Sequence, residues 1–403
     1  MALVDIDQVW AASKRLTAVL EHPTPVERSR AIGDLVGADV WLKCENLQRT
    51  GSFKIRGAAN RIARLTREER EGGVVCASAG NHAQGVALAA SMQDVEATVF
   101  MPVEAPLPKV QATEAYGAEV KLVGDDVSET LTAAIEVAEH EHRVFIHPFD
   151  HADVIAGQGT LALELLEQVP APGTVLVPLG GGGLLSGMAV TLRAKSPRTR
   201  IVGVQAAGAA SFPPSLSAGE SREVATVDTI ADGIAVKRPG ALTLPHIEHL
   251  VDQVVTVDDD LLARAVVVLL ERAKLVAEPA GAAGVAAVMG QRTELIDPVV
   301  PILSGGNIDP LVLQHLVTSG LTAEGRYATL RTRVPDQPGE LVRLLRIVAD
   351  ARVNVVGVSH HRLGHRLRLG QVAVVLELEA RGHDHVDALR STLEAAGYPI
   401  RDV

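Results

Sequence analysis

Residues 174–194, TVLVPLGGGGLLSGMAVTLRA, decide the fold. From Val175 to Leu179 every residue is apolar, with no polar alternation, so Thr174–Leu179 suits a strand buried on both faces. Four glycines follow, Gly180, Gly181, Gly182 and Gly183, and Leu184–Ala194 then has the length and composition of a helix. Strand, turn and helix make up half of a βαβ unit. Working outward, the same alternation recurs from about residue 38 to 320. Candidate strands are Asp39–Lys43, Val74–Ala77, Ala97–Met101, Glu119–Val123, Val144–His147, Ile201–Gln205, Val254–Val257 and Val299–Leu303. Candidate helices between them include Phe53–Leu65, Ala83–Ser91, Lys109–Tyr116, Thr160–Val169 and Asp258–Lys274. Apolar strands separated by helical crossovers predict an α/β fold with parallel sheets covered on both faces.

The tail follows another pattern. Arg326–Val334, Gly339–Ala351, Val353–Ser359, Gln371–Glu379, His385–Ala396 and Tyr398–Asp402 give strand, helix, strand, strand, helix, strand. Gly397 stands where a helix would stop. This βαββαβ order predicts a small ferredoxin-like domain. The expected organisation is a domain over 1–320 with a smaller subdomain of roughly residues 50–150 inserted in it, a linker at 321–325, and a second domain over 326–403.

Composition narrows the function. The chain has 403 residues, 47% of them apolar and only 2% aromatic, so Ala, Val and Leu must fill the cores. Lys plus Arg number 38 against 49 Asp plus Glu, a net charge of −11, which opposes binding to a phosphate backbone. Nucleic acid is therefore not an expected partner. Cys44 and Cys76 are the two cysteines, too few for a disulfide framework or a cysteine-ligated zinc or iron–sulfur centre. The uncharged stretch Gln168–Leu192 contains three prolines and the glycine run, so it does not suit a membrane span. Met1–Trp10 carries Asp5 and Asp7 and lacks the form of a signal peptide. A soluble, cytoplasmic protein is expected.

Four segments could carry chemistry. In Gly51-Ser52-Phe53-Lys54-Ile55-Arg56-Gly57-Ala58 a helix should begin with Ser52 near its N-cap and Lys54 in its first turn. A helix dipole disfavours positive charge there, which lowers the lysine's pKa toward the neutral amine that attacks a carbonyl. Ser78-Ala79-Gly80-Asn81-His82 follows a strand and opens a helix, so its amides can hold a carboxylate, and Asn81 can donate to a ring oxygen. Gly180–Gly183 exposes several backbone N–H groups at a helix start, a cradle for one phosphate. Neither a Walker loop nor a dinucleotide fingerprint can be read through it. Ser304, in Ser304-Gly305-Gly306-Asn307 at a strand end, offers a neutral hydroxyl to a ring nitrogen. Each segment alone also suits an ordinary turn or cap. Together they match the parts of pyridoxal phosphate.

With these motifs, the Thr24-Pro25 opening, and His151–Thr160 with its Gly-Gln-Gly-Thr, the chain resembles the fold-type II (tryptophan synthase beta-like) pyridoxal-phosphate enzymes over roughly residues 15 to 320. Within them it is most similar to the threonine ammonia-lyases, or threonine dehydratases. The resemblance implies that Lys54 forms the imine with the cofactor, with Phe53 on one ring face and Gly233 flanking the other. It implies that Asn81 meets the ring hydroxyl oxygen, that Gly180 to Gly183 with Leu184 hold the phosphate, and that Ser304 meets the pyridine nitrogen. Ser78, Ala79, Gly80, Asn81 and His82 would receive the substrate carboxylate. The implied reaction is β-elimination and deamination of L-threonine to 2-oxobutanoate and ammonia, and of L-serine to pyruvate. Ala79 stands where related serine racemases carry a second serine, which favours a lyase. Gln205 stands where metal-binding relatives have a glutamate, so no divalent metal is expected, while potassium stays open.

The tail resembles an ACT domain, an amino-acid-sensing module. Its signature is Asp336-Gln337-Pro338-Gly339-Glu340-Leu341 at the first strand–helix loop, with Asn354 entering the second strand. The resemblance implies regulation by a branched-chain amino acid, with the loop placed near Asn354, or else a module of assembly in a homo-oligomer, dimer or tetramer. His360, His361 and His365, among Arg362, Arg366 and Arg368, suit a solvated turn more than a metal site. The competing readings are a serine or threo-3-hydroxyaspartate dehydratase, a serine racemase, and a non-catalytic amino-acid sensor.

Overall fold

The computed structural model describes residues 3–20, 22–362 and 370–402. The chain divides into two compact units, Met1–Asp309 and Pro310–Val403.

The larger unit holds two sheets. Its strands are β1 (Val26–Arg28), β2 (Trp41–Cys44), β3 (Val74–Ala77), β4 (Ala97–Met101), β5 (Glu119–Leu122), β6 (Val144–Phe145), β7 (Thr174–Pro178), β8 (Arg200–Ala206), β9 (Gln253–Val257) and β10 (Val299–Leu303). One sheet has the order β1-β2-β10-β7-β8-β9, parallel except for β1, and the other the order β5-β4-β3-β6, parallel throughout. Each reverses direction once. The chain steps from β7 out to β9 and returns as β10 on the other side of β7, and it steps from β3 to β5 and returns as β6 beside β3. In open parallel sheets ligands bind at such reversals, beyond the carboxyl ends of the strands. The glycine run follows β7, Ser304 follows β10, Ser78 follows β3, and Pro148 lies three residues beyond β6. The topology thus carries three of the four segments, with Pro148, to strand ends at the two reversals.

Two cores support these sheets. One packs Val175, Val177, Leu185, Met188, Ile201, Phe212 and Ile302, and the other Ile55, Ile62, Val74, Val86, Val99, Met101 and Ile146. The helix Pro279–Met289 is built of Ala, Gly and Val and buried along nearly its whole length. A Cβ on its Gly281 would lie 2.1 Å from the Gly305 carbonyl oxygen, so only glycine permits the approach that brings this helix's first residues to the end of β10.

The smaller unit begins with the helix Pro310–Ala323. It continues with β11 (Tyr327–Pro335), the helix Glu340–Asp350, β12 (Asn354–His361), β13 (Gln371–Glu379), the helix His383–Ala395 and β14 (Arg401–Asp402). Its sheet order, β12-β13-β11-β14, is antiparallel and ferredoxin-like. Leu330, Leu344, Val348, Val374, Leu376 and Leu393 form its core.

Several expectations change. β1, three residues running antiparallel to β2, is too short to show a period in the sequence. The helix expected at Thr160 begins at Ala152, with His151 accepting the Asp153 amide, and Asp259–Val268 gives way to a π-turn at Leu269–Ala273. The linker expected at 321–325 is largely helical, because Pro310–Ala323 runs through it with Gly320 buried inside. Asn354 and the Asp336–Leu341 loop do not come together within the chain. Asn354 pairs with Glu379, opposite Tyr327 at the start of β11, whereas Pro335 at its end pairs with Gln371. The helix Glu340–Asp350 runs the length of the sheet between the two. His365, Arg366 and Arg368 lie outside the described residues.

Candidate active site

The helix Lys54–Ala63 starts without a side-chain cap. Phe53 holds the cap position with helical φ of −61°, and Ser52, expected there, is instead paired with Gly305 in an isolated antiparallel bridge. The Ser52 hydroxyl is buried without a hydrogen-bond partner among the described residues. Two other features fix the helix start. The Phe53 amide donates to the Ser304 carbonyl at 3.1 Å, tying Lys54's helix to the end of β10. The Arg56 guanidinium, buried one turn in, donates to both oxygens of Glu45 (2.7 and 2.8 Å) and of Glu164 (2.7 and 2.8 Å). Lys43 donates to Glu164 at 3.2 Å and balances the charge, two cations against two carboxylates.

Lys54 Nζ donates to the Pro148 carbonyl at 3.0 Å and lies 5.3 Å from the Phe53 ring centroid. Burial lowers its pKa to about 8 against an opposing pull from Glu278. The loop carrying Pro148 is held at both ends. His147 Nδ1 accepts the amides of Phe149 (3.3 Å) and Asp150 (2.8 Å), and burial pushes its pKa down to about 4, so the neutral ring carries its proton on Nε2. The Asp150 carboxylate accepts the amides of Ala241, Leu242 and Thr243 at the start of the helix Thr243–Leu250. Phe149 then packs on the glycine run, and a Cβ on Gly181 would fall 2.3 Å from its ring.

Gly180 to Gly183 are all buried, and Gly182 has φ of 96°. Ser186 is the first amide to close a bond in the following helix, to Gly182 O at 2.9 Å, so the amides before it lie outside the helical ladder. Leu184 is buried in that first turn. The run therefore presents backbone N–H groups and no side chain, a donor set suited to a phosphate.

On the other sheet, Ser78 Oγ accepts the Gly80 amide at 3.1 Å and shapes the turn into the helix Asn81–Ser91. His82 is buried, its Nε2 bonded to the Ile146 carbonyl at 2.8 Å and its pKa lowered to about 3, chiefly by burial. Its ring therefore stays neutral, and its backbone N–H is what it offers a carboxylate. Ala79 has no group that can carry a proton. Asn81 Nδ2 donates to Glu278 Oε1 at 2.6 Å, and Asn81 Oδ1 accepts from Asn307 Nδ2 at 2.8 Å. Ser304 is buried, its hydroxyl without a hydrogen bond among the described residues. Gly233 sits in the short turn Asp232–Ile234, where a Cβ would meet Ala280 at 3.0 Å and Glu278 Oε1 at 3.4 Å.

The structure therefore gathers Phe53, Lys54, Asn81, the glycine run, Gly233 and Ser304 through shared contacts. A lysine amine, an amide donor, a neutral hydroxyl and an anion cradle fit the imine carbon, ring oxygen, ring nitrogen and phosphate of pyridoxal phosphate. Sequence reasoning missed Glu278 and the role of Asn307. Glu278 precedes Pro279 at a helix start and passes for a cap, yet its side chain makes no capping bond. The signal lies in the residue type, since glutamate is not among the preferred N-caps. Gln205 spends its amide on its own loop, accepting the Phe212 amide at 3.0 Å and donating to the Ala209 carbonyl at 3.4 Å.

The profile of the family described as "Pyridoxal-phosphate dependent enzyme" matches residues 18–305. The chain is 43% identical over 401 residues to an L-threonine ammonia-lyase of Thermotoga maritima, covering 100% of both chains. It is 46% identical to one of Geobacter sulfurreducens, covering 94% of each. A catabolic L-threonine dehydratase of Escherichia coli is 43% identical over 309 residues, 76% of this chain and 94% of that one. Among solved structures, a maize serine racemase superposes with TM-score 0.74 at 37% identity, over 80% of this chain and 99% of that one. A threonine deaminase isoform of Solanum lycopersicum gives 0.73 at 34% identity, over 79% and 95%.

Proposed function

Because this chain belongs to the family of pyridoxal-phosphate dependent enzymes, we infer that it deaminates L-threonine to 2-oxobutanoate and ammonia by β-elimination. The observation that carries the reading is the contact chain joining Lys54, Asn81, the glycine run and Ser304. When bound, pyridoxal phosphate supplies an electron sink for negative charge at the substrate's α-carbon.

The residues divide the remaining work. The amides from Ser78 to His82 hold the substrate carboxylate at a helix start. Lys54, with its lowered pKa, takes the α-proton on Nζ. Asn81 would donate to the ring oxygen, and Phe53 and Gly233 would flank the ring. Ser304 would offer the ring nitrogen a hydroxyl in place of a carboxylate, which would disfavour protonation of that nitrogen and favour elimination. Loss of the α-proton and β-hydroxyl gives an enamine, which tautomerises and hydrolyses to the oxo acid. Ala79 cannot return a proton from the opposite face, which supports elimination over racemisation. L-Serine, one methyl smaller, is accepted with only modest discrimination. The protein works in the cytoplasm as a homo-oligomer, and its antiparallel tail unit, an ACT domain, mediates inhibition by a branched-chain amino acid.

The test is an oxo-acid assay over threonine, serine and threo-3-hydroxyaspartate with wild type and Lys54→Ala. Threonine should be the best substrate, and Lys54→Ala should fold yet carry no imine absorbance band and release no oxo acid. Full activity of Lys54→Ala would overturn the reading.

A further inference from the structure

Glu278 is 5% exposed and stands at the cap position of Pro279–Met289, yet its carboxyl bonds Asn81 rather than its own helix. Three atoms fix what it meets there. The Thr50 carbonyl can only accept, so the Asn307 atom 2.6 Å from it is the amide nitrogen. That same nitrogen lies 2.8 Å from Asn81, which must therefore turn its oxygen to Asn307 and its nitrogen to Glu278 Oε1 at 2.6 Å. Asn81 Nδ2 carries a second hydrogen that this chain of bonds does not use. Gly305 keeps the adjacent space clear, since a Cβ there would lie 3.0 Å from Asn81 Nδ2 and 2.3 Å from Glu278 Oε1.

We propose that Glu278 is a positioning residue for the cofactor: its carboxyl takes one hydrogen of the Asn81 amide and so aims the other at the cofactor's ring oxygen. This rests on the assignment of Asn81 made above. The terminal torsion of an asparagine is broad, so without partners at both ends its amide would not hold one direction. Asn307 fixes one end and Glu278 the other. Burial, with Asp232 adding to it, pushes the Glu278 carboxyl up to about 8, while the Asn81 bond, Lys109 and Lys54 pull it down. At neutral pH it is therefore largely protonated, and a glutamine reproduces that form in shape and in acceptor.

The experiment titrates apoprotein with pyridoxal phosphate at pH 7 and follows the imine absorbance, after circular dichroism confirms that each variant is folded. Glu278→Ala should weaken binding about tenfold, the effect of losing one hydrogen bond, while Glu278→Gln stays within about twofold of wild type. Asn81→Ala should also weaken binding, and adding Glu278→Ala to it should cost less than about twofold more, because the glutamate acts through the amide. Wild-type affinity in Glu278→Ala, independent and multiplying losses in the double variant, or a Gln variant as weak as the Ala variant would each overturn the proposal. Wild-type affinity in Asn81→Ala would overturn the assignment of Asn81 itself, and the proposal with it.

Discussion

Lys54 is governed by two opposing effects. Burial in its helix start disfavours the ammonium form, while the Glu278 carboxyl favours it, and burial prevails. Below pH 8 the amine is mostly protonated and unreactive, and above it the neutral form dominates, whereas an ordinary lysine would need a pH above 10. The rate at which apoprotein takes up pyridoxal phosphate, read by borohydride trapping across pH, should therefore rise with a midpoint near 8. A midpoint near 10 would mean that Lys54 is solvated like a surface lysine. At this scale the sequence is most informative where the residue type names its own chemistry. Lys54, Asn81 and Ser304 each carry one function that the residue type already names: an amine, an amide and a hydroxyl. Glu278 was hidden because a glutamate before a proline also suits a helix start, and only the bond to Asn81 shows where the carboxyl goes.

The helix that presents Lys54 lacks a side-chain cap and depends on the buried cluster of Arg56, Glu45, Glu164 and Lys43. Glu45, with no solvent exposure, is penalised by burial, but Arg56 outweighs this and keeps its pKa below the usual range. Arg56→Met would leave Glu45 and Glu164 facing each other with only Lys43 as a cation. The expected loss is on the order of 3–5 kcal/mol, the range for breaking a buried ion pair, measured by urea unfolding. A loss under about 1 kcal/mol would show that water reaches the carboxylates. The cluster also explains why strands were easier to read than helix starts. A run such as Val299–Leu303 reveals its burial through its own residues. The helix Ala152–Gln168 carries Gly157 in its first half, which weakens any helical pattern. Its glycine is required by a neighbour distant in sequence, since a Cβ there would lie 2.5 Å from the Arg56 carbonyl oxygen.

At the scale of the whole molecule, the chain is two units with separate cores. The family profile ends at residue 305, inside the larger unit, and Lys54, Asn81, the glycine run and Ser304 all precede Asp309. A fragment ending at Asp309 should therefore retain threonine deamination. If a branched-chain amino acid inhibits the full chain, the fragment should escape that inhibition in initial-rate assays. Equal inhibition of both would place the effector in the active site, because a ligand acts only through differential affinity for two states. The sequence revealed the second unit through its βαββαβ order but misplaced its border. Gly320 and its neighbours suggest a linker by composition, while helical hydrogen bonding decides otherwise.

The place where the units join has a mechanical consequence. Asn307, which steadies Asn81, is separated from Pro310, the first residue of the smaller unit, by Ile308 and Asp309 alone. Three chain steps reach at most ~10 Å. Each end of that stretch is held by its own unit: Asn307 by its bonds to Thr50 and Asn81, and Pro310 by the helix it opens. Lengthening the tether with Gly-Ser-Gly after Ile308 should therefore leave threonine turnover in place, because both holds lie outside the insertion, and initial rates of oxo-acid release check it.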